Sequence, residues 1–154
     1  MATKMHTPET ASASQGSPDC LSTSLGWLLA QAKQALGREF ELALEPLGLS
    51  SRSYHVLASA LGKDRTQIEL ANLVGLDKTT MVATIDALEA EGLAERRPLS
   101  GDRRVRVISV TDEGERKVRE ARKIIDQVQA DVLARLPARE RGALLSGLSR
   151  LISS

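Results

Sequence analysis

Aromatic side chains are almost missing from this sequence: Trp27, Phe40 and Tyr54 are the only three among 154 residues. Binding modes that stack successive bases on several aromatic platforms are therefore closed to it, which argues against single-stranded nucleic acid as the partner. Cysteine is as scarce, with Cys20 alone, so no internal disulfide can form. Together with two histidines, His6 and His55, one cysteine cannot supply a zinc site of Cys and His ligands within one chain, and no metal or cofactor is expected. Long apolar runs are absent as well. Nothing approaches the roughly 20 residues needed to cross a bilayer, and the first residues lack the apolar stretch of a signal peptide, so a cytoplasmic protein without membrane attachment is expected. Catalytic parts are missing too: His55 has no sequence-evident nucleophile or metal partner and the carboxylates are scattered, so no enzymatic activity is expected.

What is present is an ordinary globular composition, 42% hydrophobic and 27% charged, enough to bury one core. Residues 1–19 are rich in Ser, Thr and Pro and read as a disordered tail. From Leu21, apolar residues recur every three or four positions through Leu25, Leu28, Leu29, Leu36, Phe40 and Leu44, which predicts a long helix stopped by Pro46 and Gly48. A second helix is capped by Ser50 or Ser51, with Tyr54, Leu57, Ala58 and Leu61 on one face. A short helix follows from about Thr66, with Ile68, Leu70, Ala71 and Val74 as its apolar positions. It ends at Gly75, and Asp77 caps another helix closed by Gly92, the signature of a helix-turn-helix. Residues 93–97 and 104–110 favour strand around a turn over 98–102, predicting a β-hairpin. Thr111 caps a long helix carrying Val118, Ala121, Ile125, Val128 and Val132, and Pro137 starts a last apolar helix.

This order is mainly α with a small β-hairpin, a winged helix-turn-helix with helices on both sides. The pieces Leu70-Ala71, Leu76-Asp77-Lys78-Thr79-Thr80, Asp86-Ala87-Leu88-Glu89, Gly92-Leu93, Gly101-Asp102-Arg103-Arg104, Val110-Thr111 and Gly114 resemble the multiple-antibiotic-resistance regulator (MarR) family. The resemblance implies an N-terminal dimerisation helix over 20–48, a winged helix-turn-helix region over 49–112 and C-terminal dimerisation helices over 113–154. It also implies a homodimer on double-stranded DNA.

The residues support this on their own terms. On a helical wheel Ile85 and Leu88 fall within about 40° of Met81, a buried stripe, and Thr79, Ala83, Asp86 and Ala90 lie opposite as a face of small residues suited to a major groove. Lys78, Thr79 and Thr80 occupy the first turn, where hydroxyls and backbone N–H groups meet phosphate. Val82 and Ala83 stand where the family often has Thr, Ser or Arg, so base reading would lean on thymine methyls or DNA shape. The net charge is only +1, yet Arg96, Arg97, Arg103, Arg104 and Arg106 against Asp102 give residues 96–106 a charge of +4. In the family the wing's Asp-x-Arg element reaches the minor groove; here it corresponds to Asp102 and Arg104, Asp102 orienting neighbouring guanidinium groups.

The functional reading is a homodimeric transcriptional regulator, a repressor of a pseudo-palindromic operator with half-sites roughly 34 Å apart. As in relatives, a small aromatic or phenolic effector would relieve it, with Trp27, Arg52, Tyr54 and His55 as candidate ligand-binding residues; the alternative is that Trp27 and Tyr54 are core and the other two surface. Two further readings stay open. One is a winged-helix module for protein–protein contact. The other is a redox sensor using Cys20, against which alignment of Leu25-Gly26-Trp27-Leu28-Leu29 puts Gly26 at the sensing position of the peroxide-sensing subfamily.

Overall fold

The computed structural model describes residues 21–153. Cys20 and the tail expected over 1–19 lie outside them. Six helices and one hairpin follow in the order α1 (Leu25–Leu44), a 3₁₀ turn (Glu45–Leu47), α2 (Ser51–Ala60), α3 (Gln67–Val74), α4 (Lys78–Ala90), β1 (Ala94–Leu99), β2 (Asp102–Val110), α5 (Asp112–Leu133) and α6 (Ala138–Ile152). The chain divides into two compact units, 1–34 and 35–154. In the first, the described residues form a turn and the opening half of α1, where Leu25, Trp27, Leu28 and Leu29 are all exposed. The helix starts at Leu25 rather than Leu21, because residues 21–23 close a separate turn.

The second unit holds the core. Leu44, Leu57, Leu70, Met81, Ile85, Leu88, Leu93 and Ile108 are fully buried, so the apolar stripes of α1 to α4 and the hairpin meet in one place. The predicted stripe of α4 is there, joined by Thr84, whose hydroxyl donates to the Thr80 carbonyl at 2.7 Å. On α2 the buried residues are Tyr54, Val56, Leu57 and Ala60, whereas Ala58 is exposed: the helix is enclosed on more than one side and its inward face is rotated from the expected one. Ile68 is likewise exposed on α3, on the turn that follows the Thr66 cap. Along α5, Val118, Ala121 and Ile125 face the core, with Val128 partly buried against it.

The hairpin pairs Ala94 with Val110 through Pro98 with Arg106, then Leu99 with Asp102. Its tip is shorter than the turn expected over 98–102, because β1 runs to Leu99 and only Ser100 and Gly101 remain between the strands. Gly101 has φ +94, a conformation that side chains rarely adopt. A third edge comes from Arg65, whose carbonyl accepts from the Ile108 N–H at 2.9 Å. No described helix is long and apolar enough to cross a membrane.

Candidate nucleic-acid interface

The helix-turn-helix is built from caps. Thr66 closes a capping box with Glu69, the Thr66 N–H donating to Glu69 Oε2 at 2.7 Å and the Glu69 N–H to Thr66 Oγ1 at 3.3 Å. Gly75, at φ +74, lets the chain turn sharply while its N–H and that of Leu76 both reach the Ala71 carbonyl. Asp77 then starts α4: Oδ1 accepts from the Thr80 N–H at 2.9 Å and Oδ2 from the Thr80 hydroxyl at 2.5 Å. These two bonds hold the Asp77 carboxyl below the usual carboxylate range. They also engage the Thr80 hydroxyl as a donor inside the protein, leaving it only acceptor capacity, while Lys78 and Thr79 are exposed on the same turn. Further along, Ala83, Asp86 and Ala90 face outward and Val82 is half-buried on the flank.

The five hairpin arginines separate into two groups. Arg96 lies at the base, where its guanidinium meets Asp86 at 2.7 Å, Glu89, and Gln67 at 3.2 Å. Its backbone N–H also donates to Glu89 Oε1 at 2.7 Å. Arg97 pairs with Asp64 at 2.9 Å. Arg103, Arg104 and Arg106 are exposed, and no ion pair among the described residues involves them. The reason is local. Pro98 has no N–H for the ladder, pairing slips after it, and Arg103, Arg104 and Val105 have no partner on β1, so a bulge carries Arg103 and Arg104 near the tip, while Arg106 stays in the ladder opposite Pro98. Asp102 does not orient a guanidinium, contrary to the expectation. Its carboxylate is the right length to accept from the Arg104 backbone N–H two residues on, at 3.0 Å, which pins the bulge instead.

Of the residues suggested for an effector, Tyr54 and His55 stand together in the second unit. Tyr54 is buried, and its ring meets that of His55 edge-on at 5.3 Å, with Phe40 at 6.3 Å from His55. Burial pushes the Tyr54 hydroxyl up, against the lowering influence of Arg122. His55 and Arg52 are exposed; His55 Nδ1 donates to the Ser51 carbonyl at 2.6 Å. Trp27 lies in the other unit and is exposed.

Sequence reading missed the partners Asp64, Gln67, Asp86 and Glu89 as a functional set. A signal existed, since Asp86 and Glu89 sit three apart on one helix ahead of a basic strand, but their convergence with Gln67 is a matter of tertiary structure.

A profile of the MarR family matches residues 49–105. CouR from Rhodococcus jostii RHA1, solved with p-coumaroyl-CoA, is similar at a TM-score of 0.75 and 30% identity over 85% of this chain and 93% of that one. A MarR-family transcriptional regulator from Rhodococcus sp. RHA1 gives 0.77 and 29% over 85% and 94%. The transcriptional repressor CouR bound to a 23-mer DNA duplex gives 0.73 and 32% over 86% and 94%. With the helix-turn-helix, the arginine-tipped wing and these likenesses in agreement, the chain belongs to the MarR family of DNA-binding transcriptional regulators.

Proposed function

We propose that this protein is a cytoplasmic homodimeric repressor that releases its operator when a small aromatic or phenolic effector binds. The observation that carries the DNA part is the trio Arg103, Arg104 and Arg106, exposed and without an ion pair among the described residues, on a bulged wing beside a recognition helix, α4, whose outward residues are small. Arginines at a wing tip suit the narrow minor groove, and Thr79, Ala83 and the first turn of α4 suit the adjacent major groove and its phosphates. Lys78, Thr79, Val82, Ala83, Arg103 and Arg104 are assigned to contact, with Thr80 restricted to accepting and Arg97 weakened by Asp64.

The dimer reading is supported by α6, which buries none of its residues and exposes Leu144, Leu145, Leu151 and Ile152. The repressor and effector readings lean on CouR, a repressor solved both with DNA and with p-coumaroyl-CoA. An effector acts only by binding the DNA-competent and released arrangements with different affinity.

The test is a gel shift of the full chain on duplex DNA flanking its gene, with and without p-coumaroyl-CoA or free p-coumarate. Trp27 is the sole tryptophan, so its fluorescence reports binding from one position. Retarded DNA released by either compound, with a matching change at Trp27, supports the whole reading. Retardation insensitive to both removes this effector class and leaves the DNA reading intact. No retardation of any duplex at low salt overturns the DNA reading.

A further inference from the structure

We infer that Arg96 is a positioning residue for DNA recognition, fixing the angle between the recognition helix and the wing from inside the protein. The inference rests on the DNA-binding reading and deepens it. Arg96 extends from β1, the strand that leads to the arginine tip. Its guanidinium reaches Asp86 Oδ1 at 2.7 Å and Glu89 on α4, and Gln67 Oε1 at 3.2 Å on α3. Glu89 binds it twice, one carboxylate oxygen taking the guanidinium and the other the Arg96 backbone N–H at 2.7 Å. Strand and helix are thus tied through both side chain and main chain. The side chains of Arg96 and Glu89 are largely covered, at 28% and 32% exposure.

Two physical consequences follow. The first is geometric. A duplex engages α4 in one groove and the wing tip in the next only if their separation is set beforehand, since a hairpin free to swing must lose that freedom on binding. A planar guanidinium with fixed donors can satisfy three acceptors at once; an ammonium on a flexible stem cannot hold the same arrangement. The second is electrostatic. Arg96 already shares its charge with Asp86 and Glu89, so little of it is left to offer a phosphate.

This role and a direct phosphate contact predict opposite signs. If Arg96 held a phosphate, Arg96→Lys would retain most affinity, Arg96→Ala would cut the salt dependence by about one ion, and neutralising Glu89 or Asp86 would strengthen binding. If Arg96 is the clamp, both its own substitution and neutralisation of its partners weaken binding.

The experiment selects a duplex from a random pool with the full wild-type chain. It then measures Arg96→Lys, Glu89→Gln and Asp86→Asn on that duplex and on a scrambled one across salt concentrations, with thermal unfolding of each. The expected result is a roughly three- to thirtyfold loss on the selected duplex for Arg96→Lys and Glu89→Gln. Binding to the scrambled duplex and the salt slope should stay unchanged. Wild-type affinity for Arg96→Lys, or tighter binding by Glu89→Gln and Asp86→Asn, overturns the clamp. If Arg96→Lys does not fold, the sign of the two carboxylate variants decides. A wild-type chain that selects no duplex removes the DNA-binding reading, and the clamp with it.

Discussion

Gly114 packs its Cα against the carbonyl of Leu93 so closely that a side chain there would overlap the Leu93 backbone, and would also approach Val110 Cγ1 to 2.8 Å. This is the joint between α5 and the wing. Thr111, which caps α5 through the Gly114 N–H at 3.1 Å, also donates its hydroxyl to the Gly92 carbonyl at 2.7 Å and its N–H to the Leu93 carbonyl at 3.1 Å. The sequence pieces Gly92-Leu93 and Thr111 with Gly114 are thus two sides of one contact.

Gly114→Ala should therefore destabilise the fold although alanine is the better helix former. The obstacle is main chain, which cannot rotate away, so overpacking should cost on the order of 1–3 kcal/mol. Urea unfolding measures it. Gly26 and Gly37, on α1 with open space around them, should accept alanine with unchanged or slightly higher stability, which makes them the control.

The two classes of wing arginine should separate in salt titrations. Arg104→Ala should weaken duplex binding and lower the slope of log affinity against log salt by about one. Arg97→Ala should lower it less, because Asp64 already neutralises that guanidinium. Fluorescence anisotropy at several salt concentrations distinguishes them, and equal slopes for Arg104→Ala and wild type would remove Arg104 from the contact set.

Element boundaries were legible because they are written in local chemistry: Ser50, Thr66, Asp77 and Thr111 all accept from an N–H three residues on, and Gly75 adopts positive φ where the turn was expected. The buried stripe of α4 was legible for a similar reason, as helical angle follows from spacing alone. Faces that depend on how many neighbours surround a helix were not. Ala58 and Ile68 fit apolar spacing, yet both are exposed, and Val56 is buried instead. The wing's total charge was legible too. Its division was not, since Gln67 and Arg96 are 29 residues apart and Asp64 and Arg97 are 33 apart.

Acid should loosen the helix-turn-helix through its caps. Hydrogen bonds from Thr80 and from Thr66 lower the carboxyls of Asp77 and Glu69. A carboxylate lowered on folding stabilises above its unfolded value and loses that contribution as pH falls through the folded one, here below about pH 4. Asp77→Asn keeps an N-cap acceptor but removes the titration. Its melting temperature should lie below wild type at pH 7, where the charged carboxylate still contributes, and fall less steeply than wild type between about pH 5 and pH 3, so that the two curves converge in acid. Parallel curves for the two proteins would show that Asp77 does not carry the acid sensitivity.

A dimer built on α6 has a signature that separates it from folding defects. Leu145 and Leu151 are 50% and 57% exposed in the single chain, so Leu145→Glu and Leu151→Glu remove little that stabilises one protomer. If these leucines are buried between two copies, the same substitutions place charge in an apolar contact and should shift the assembly to monomer. Sedimentation equilibrium should then give a dimer for wild type and a monomer for the double variant, with far-UV circular dichroism unchanged. Binding to a two-half-site duplex should fall toward the single-site level, because the second recognition helix no longer arrives with the first. A wild-type chain that sediments as a monomer at all accessible concentrations would leave α6 without this role and remove the geometric basis for a pseudo-palindromic operator.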